Sequence, residues 1–121
     1  MKKTKMAVAA LLLASVPSQA HHSGAMFDHD TSRTLTGTVR VFQYTNPHCY
    51  IQLMVDRNGQ TEEWSIEMAA PSHLQRLGWR RSTLRPGDRI SVTFSPLRNG
   101  DHGGEVVEVT KADGSPLELV H

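Results

Sequence analysis

Leu35-Thr36-Gly37-Thr38-Val39-Arg40-Val41 (residues 35–41) is the stretch that decides the fold. Its apolar or small residues alternate with polar ones, and this period of two is typical of a strand with one buried face. We therefore predict a half-buried strand at 35–41. The residues expected to face the core are Leu35, Gly37, Val39 and Val41.

The same alternation recurs downstream at residues 51–55, 64–68, 90–94 and 105–110. Asp56-Arg57-Asn58-Gly59 predicts a hairpin turn between the first two of these patterns. A short helix is expected to open at Pro71, with Ser72 as its N-cap and Gly78 just beyond its end. The order β-β-β-α-β-β predicts a mostly β protein, a small five-stranded OB-like β-barrel with one short helix between strands 3 and 4. An open β-sandwich capped by a helix is the alternative.

The first 20 residues have the three parts of a secretory signal peptide. Lys2, Lys3 and Lys5 are followed by an apolar run at 6–16, and Ser18-Gln19-Ala20 resembles a cleavage site. An uncleaved anchor is the alternative, but the run is shorter than the roughly 20 residues that a membrane span needs. We predict export, most simply to the periplasm, an N-terminal arm at 21–32 and a single barrel domain at 33–121.

Composition restricts the function further. The 121 residues include 13 Lys and Arg and 12 Asp and Glu, so removal of three Lys with the signal leaves a net charge of −2. That balance argues against a general nucleic-acid binder, which is usually strongly basic. The single cysteine, Cys49, excludes an internal disulfide and is expected to be a small buried residue. No transmembrane segment is expected in the mature chain.

Three short motifs carry a resemblance to a known family. They are His21-His22-Ser23, Thr45-Asn46-Pro47-His48 and Pro86-Gly87-Asp88. Together with their order along the mature chain, they resemble an uncharacterised family of exported bacterial proteins, the domain of unknown function 6152. The resemblance implies export and one small domain, and it implies no activity.

Histidine is the residue type that suggests chemistry, with 7 in the chain. Cleavage after Ala20 makes His21 the N-terminal residue, followed by His22. An N-terminal histidine chelates a metal through its α-amine and its ring, and a further imidazole completes a three-nitrogen site, a histidine brace. Nitrogen donors suit Cu(II), so the predicted cofactor is a copper ion. Alternatively, His22 binds copper with the terminal amine and the intervening amide, or the two histidines form a solvated terminus without a metal.

His48, which follows Asn46-Pro47, is the best further ligand because a rigid backbone aims the ring reproducibly. Weaker candidates are His29 in the arm, His102 in a glycine-rich loop and Glu67 at the end of the third strand pattern. For Glu67 the ordinary interpretation is an exposed carboxylate that is paired with an arginine.

Arginines are concentrated between residues 76 and 98, where Asp88 is the only acid. This pattern predicts a surface for a protein partner or an anionic ligand. Its candidate members are Trp79, Arg80, Arg81 and Arg98.

Two binding hypotheses and one enzymatic hypothesis therefore follow. The first is a copper-binding exported module, and the second is an envelope adaptor that uses the arginine surface. The third is an enzyme, which requires His48 and Glu67 within hydrogen-bond reach in one pocket. The sequence carries no recognisable nucleophile-base, metalloprotease or phosphate-binding motif, so an enzyme is the least favoured of the three.

Overall fold

The computed structural model describes residues 24–120. A 3-10 helix (Gly24–Met26) is followed by six strands and one α-helix. They are β1 (Arg33–Gln43), β2 (Tyr50–Arg57), β3 (Gln60–Glu67), α1 (Pro71–Arg76), β4 (Arg89–Pro96), β5 (Gly103–Lys111) and β6 (Pro116–Leu117). This is the predicted order with one short strand added at its end.

The first five strands close into a barrel. β1 pairs with both β2 and β4, β2 pairs with β3, and β4 pairs with β5, all antiparallel. A parallel pairing between β3 and β5 joins the two edges of the sheet. The five-stranded OB-like barrel is therefore confirmed, with α1 between β3 and β4, and the open-sandwich alternative is wrong.

The β2–β3 hairpin follows the turn chemistry of its sequence. Asn58 and Gly59 both have positive φ, at 51° and 77°. Two central residues of this kind form the turn whose twist matches antiparallel strands, and Asn-Gly is the preferred pair for it. The predicted turn at residues 56–59 is confirmed.

β1 contains an irregularity that the alternating pattern did not predict. Its register with β2 shifts between Val39 and Val41, so Arg40 is an extra residue in the strand. A bulge of this kind reverses the inward and outward positions that follow it. Phe42 is consequently buried and Val41 is only half-buried, which corrects the predicted inward position of Val41.

Helix α1 begins at Pro71, as expected, but its N-cap lies two residues earlier than predicted. Ala70 is its N-cap and makes no side-chain capping bond, so the prediction of Ser72 as N-cap is wrong. Pro71 occupies the first turn because its fixed φ suits a helix start and its missing N–H is not needed there. The helix ends at Leu77, which places Gly78 just beyond it, as predicted.

The barrel interior holds the residues that the alternation predicted. Ile51, Leu53, Trp64, Ile66, Val92 and Phe94 are all at most 1% exposed, and Cys49 is fully buried, as expected. Three buried residues of the α1–β4 region, Leu74, Trp79 and Leu84, complete the cluster. Trp79 is 2% exposed, and its indole N–H donates to the Glu118 carbonyl at 2.6 Å. Trp79 therefore belongs to the core, which corrects its predicted place on a partner surface.

Several contacts tie the N-terminal arm to the barrel. Phe27 is 3% exposed and forms a bridge with Leu97, and the Asp28 amide donates to the Pro96 carbonyl at 2.8 Å. Residues 24–28 therefore lie beside the end of β4. Within residues 24–120, no helix combines the length and the apolarity that a membrane crossing requires.

Barrel closure predicts an intolerance to side chains at one glycine. Gly104 lies at the start of β5. A Cβ at this position would overlap the Phe94 ring and the Ser95 carbonyl oxygen of β4. We expect Gly104→Ala to lower the free energy of unfolding by about 1–3 kcal/mol, the usual cost of overpacking. Urea denaturation of the chain that begins at His21 measures it.

Gly24→Ala is the matched control for this variant. A Cβ at Gly24 would approach the His29 ring at 3.4 Å, an ordinary contact, so the stability should stay unchanged. Equal stability of the two variants would contradict the close approach of β5 to Phe94 and Ser95 of β4.

Candidate functional site

Barrel closure places three polar side chains in one row across neighbouring strands. Tyr50 of β2 is in register with Glu67 of β3, and Glu67 is in register with Glu105 of β5. Residues paired in this way project from the same face of a sheet. The row lies on the face opposite to buried Ile66, on the outside of the barrel.

A cleft of about 290 Å³ opens beside this row, between β3, α1, β5 and the C-terminal segment. We call it the Glu67 cleft. Its polar lining residues are His48, Glu67, His73 and Glu105. Its apolar lining residues are Met68, Ala69, Leu74, Val106, Val107, Leu119 and Val120.

Glu67 is the buried charge of the cleft. It is 7% exposed, and the Tyr50 hydroxyl donates to its Oε1 at 2.9 Å. Among residues 24–120, no arginine or lysine forms an ion pair with it. The expectation of an exposed carboxylate paired with arginine is therefore wrong, because the Tyr50 ring and the cleft walls cover the side chain.

Tyr50 responds to this environment. Burial, the hydrogen bond to Glu67 and the negative charge of Glu67 together raise the pKa of Tyr50 to about 12. Each of these effects disfavours a tyrosinate, so the hydroxyl remains a donor to Glu67 at neutral pH.

His48 is held in one orientation. Its Nδ1 lies 2.9 Å from the Met68 carbonyl oxygen. A carbonyl only accepts, so Nδ1 carries the proton, and in a neutral ring the Nε2 lone pair is available to a ligand. His48 and Glu67 share the cleft, but the structure gives no hydrogen bond between these two side chains. The pairing that the enzymatic hypothesis required is not formed.

A hydrogen bond also fixes the orientation of the His29 ring, which contacts Glu105 at the other end of the row from Tyr50. Its Nε2 lies 3.1 Å from Glu105 Oε1, and both side chains are about half exposed. An ionised carboxylate only accepts, so Nε2 donates and the Nδ1 lone pair of a neutral ring is available. The His29 ring also lies beside Gly24, where the described chain begins.

The other predicted ligands are placed differently. His102 stacks on Trp64, with ring centroids 4.5 Å apart, and lies 3.9 Å from Glu62. His21 and His22 lie outside the described residues. Over residues 24–120, no three His, Cys, Asp or Glu side chains are grouped closely enough to hold a metal ion.

The predicted arginine surface is divided. Arg80 and Arg81 are exposed on the connection between α1 and β4, and the Arg81 guanidinium lies 5.5 Å from the centre of the Tyr44 ring. Arg98 lies elsewhere, where its Nε donates to the Ala25 carbonyl at 3.1 Å. It therefore belongs with the N-terminal arm.

Tyr50 and Glu105 are members of the site that the sequence patterns did not indicate. Tyr50 was detectable in principle, because the hairpin at Asn58-Gly59 fixes its register with Glu67. Glu105 was not, because its place beside Glu67 depends on a parallel pairing between strands that are far apart in the chain.

The Tyr50–Glu67 bond predicts a difference between the two tyrosines. Tyr50→Phe should lower the free energy of unfolding by about 1.5–3 kcal/mol at neutral pH, since it removes the donor of a hydrogen bond to the charged Glu67 carboxylate. Tyr44→Phe removes a bond to the Pro71 carbonyl, a neutral acceptor, and should cost about 0.5–1.5 kcal/mol.

The pH dependence of stability supplies the second readout. A tyrosine whose pKa in the folded state is about 12, against its ordinary value of 10.0, stabilises the fold below pH 10, and this contribution is lost as the pH rises towards 12. Denaturation across this window should show the decline in Tyr44→Phe and a smaller decline in Tyr50→Phe, and identical profiles would contradict the assignment.

Comparisons with known proteins bear on the fold and on the family of the chain. No curated protein matches the chain. Among solved structures, the chain is similar to a mitochondrial single-stranded DNA binding protein from S. cerevisiae, Rim1, with a TM-score of 0.50 and 12% identity over 68% of this chain and 94% of that one. At this identity the likeness supports the barrel fold alone. The model of a family of unknown function, DUF6152, matches residues 9–106, and the chain belongs to this family.

Proposed function

We propose that this protein is an exported binding module that holds Cu(II) at its mature N-terminus. In this proposal the signal at 1–20 is removed in the periplasm, and His21 becomes the first residue. The basic, apolar and small-residue parts of that segment support it. The proposed ligands are the His21 α-amine, the His21 ring and the His29 ring.

The orientation of His29 is the observation that carries the proposal. Glu105 accepts from its Nε2 at 3.1 Å, which leaves Nδ1 as the donor atom for a metal. Metal-binding histidines commonly have a carboxylate in this position, since it fixes the tautomer and raises the basicity of the ring.

The length of the arm supports the same pairing. Gly24 lies near the His29 ring. Residues 21–23, which begin with the proposed N-terminal residue His21, directly precede Gly24. Three residues span at most about 10 Å, so the terminus stays within reach of this ring. An amine and two imidazole nitrogens are a donor set that favours Cu(II) among divalent first-row metals.

His48 is the competing third ligand, and the chelate of His22 with the terminal amine is the competing mode. His48 also presents a free ring nitrogen, but it lies on the Met68 side of the cleft, whereas His29 contacts the start of the described chain. These modes differ in which variants should weaken copper binding.

The test measures the Cu(II) affinity of the chain that begins at His21 by competition titration. One glycine added before His21 separates the amine from its ring, so we expect an affinity loss of about tenfold or more, which is 1.4 kcal/mol or more. His29→Gln should cause a similar loss. His48→Gln and His102→Gln are matched controls and should leave the affinity unchanged.

The same titration gives two further readouts. Copper should raise the free energy of unfolding by about 2.7 kcal/mol at a free concentration of about 100 times the Kd, and affinity should fall at acid pH because the nitrogen ligands must lose their protons. An affinity that is indifferent to the extension and to His29→Gln would refute the site. A loss in His48→Gln alone would transfer the role to His48, and an unprocessed precursor in the periplasmic fraction, detected by intact mass, would remove the terminus from the proposal.

An adaptor for an acidic protein segment is the second candidate function, and the charge distribution favours it. Five exposed arginines, Arg76, Arg80, Arg81, Arg85 and Arg89, lie between α1 and the start of β4, and none forms an ion pair within residues 24–120. The only acid among them is Asp88, whose carboxylate accepts from the Arg85 amide at 2.9 Å. The remainder of the mature chain carries 11 acids and 5 bases. Arginine is well suited to pair with carboxylates.

A labelled glutamate-rich peptide tests the adaptor. The double variant Arg80→Glu/Arg81→Glu should weaken its binding, measured by fluorescence anisotropy, by about tenfold or more. Arg98→Glu, on the connection between β4 and β5 beside the N-terminal arm, should have little effect. Unchanged binding in the double variant would refute the candidate, and tighter binding of a single-stranded oligonucleotide of equal charge would favour nucleic acid instead.

A further inference from the structure

We propose that the Glu67 cleft binds an organic ammonium ion that carries a hydrocarbon group. This inference is independent of copper, because it rests on the cleft itself and not on the N-terminal residues. Charge, hydrogen-bonding geometry and apolar surface support it separately.

The carboxylates of the cleft favour the binding of a cation. Glu67 is 7% exposed, and its one hydrogen-bond partner in the described part of the chain is the neutral Tyr50 hydroxyl. Glu105 stands beside it in register on β5. The lining contains neither lysine nor arginine. Glu105 is about half exposed and accepts from His29, whereas Glu67 is buried and forms no ion pair with any residue of the described chain. Burial of an ionised carboxylate without a cationic partner is costly, and a bound cation relieves this cost.

The spacing of the polar groups favours an ammonium ion over a metal ion. No three ligating side chains in residues 24–120 converge closely enough for one metal. An ammonium group directs three N–H donors outward and therefore bridges acceptors that lie farther apart. The Glu67 carboxylate, the Glu105 carboxylate and the free Nε2 of His48 are acceptors of this kind on the cleft wall.

The apolar surface beside these acceptors suits the hydrocarbon group. The exposed large hydrophobic residues of the described chain are Met26, Val107 and Val120, at 41%, 53% and 73% exposure. Val107 and Val120 line the Glu67 cleft, and Met26 lines a smaller cavity of about 120 Å³ on the other side of Glu67. These side chains therefore border the buried carboxylate, an arrangement that favours a ligand with a charged head and an apolar body.

The size of the cleft limits the ligand. Its volume of about 290 Å³ is at the lower end of small-molecule sites. A short primary alkylamine is the matching class, and a large or multiply charged amine is not.

The experiment compares hexylammonium with 1-hexanol by isothermal titration calorimetry on the chain that begins at His21. Both share the hydrocarbon chain and differ in charge, so hexylammonium should bind about tenfold or more tightly. Glu67→Gln should abolish this preference. Glu108→Gln, which removes an exposed carboxylate of β5 that does not line the cleft, is the matched control and should retain it.

A second variant keeps the proposal testable if Glu67→Gln fails to fold. Val107→Lys replaces an exposed side chain at the cleft wall, so the fold should persist while its own ammonium group competes for the carboxylates. We expect a loss of hexylammonium binding of about tenfold or more. Equal binding of hexylammonium and hexanol, or hexylammonium binding unchanged in Val107→Lys, would overturn the proposal. His29→Gln, which should weaken copper binding, should leave hexylammonium binding intact.

Discussion

The parallel contact between β3 and β5 is the constraint on which the rest of the structure depends. It converts a five-stranded sheet with two edges into a closed barrel, and closure removes edges that would otherwise pair with other chains. β3 and β5 approach closely because Gly103 has no Cβ at the point where the Ser65 carbonyl oxygen of β3 lies. Gly104 likewise lets β5 lie close to Phe94 and Ser95 of β4. The same contact brings Glu105 beside Glu67, so one feature both completes the fold and assembles the acidic part of the cleft.

The cleft retains a carboxylate in a place where a protein usually holds an apolar side chain. Burial of an ionised group is unfavourable unless hydrogen bonds compensate it. Tyr50 supplies one such bond, and its own pKa is raised first by burial and then by the hydrogen bond to Glu67. The cleft opens towards His48 on one side, and through Glu105 it connects to His29 and the N-terminal arm on the other. Fold closure, arm placement and side-chain orientation are thus coupled around Glu67.

The charged side chains of the described residues form a basic region and an acidic region. The connection from α1 to β4 presents five exposed arginines, whereas the opening formed by β3, β5 and the C-terminal segment presents carboxylates and imidazoles. A basic region suits anions, and an acidic cleft suits cations. The proposed acidic-peptide surface and the proposed ammonium site therefore lie apart, and a variant in one is not expected to disturb the other.

The sequence by itself determined the order of the strands along the chain and the hairpin at Asn58-Gly59. It also determined the buried positions of Ile51, Ile66 and Val92. These features follow from the sequence because alternation and turn residues act over short distances in the chain. It also predicted His29, His48 and Glu67 as candidates by residue type. Local patterns could not predict the bulge at Arg40, which exchanged Val41 for Phe42 in the core, or the burial of Trp79. Only the tertiary structure decided that Glu67 is buried against Tyr50 and adjacent to Glu105. The physical reason is that the β3–β5 pairing joins residues almost 40 positions apart, and no period along the chain records such a contact.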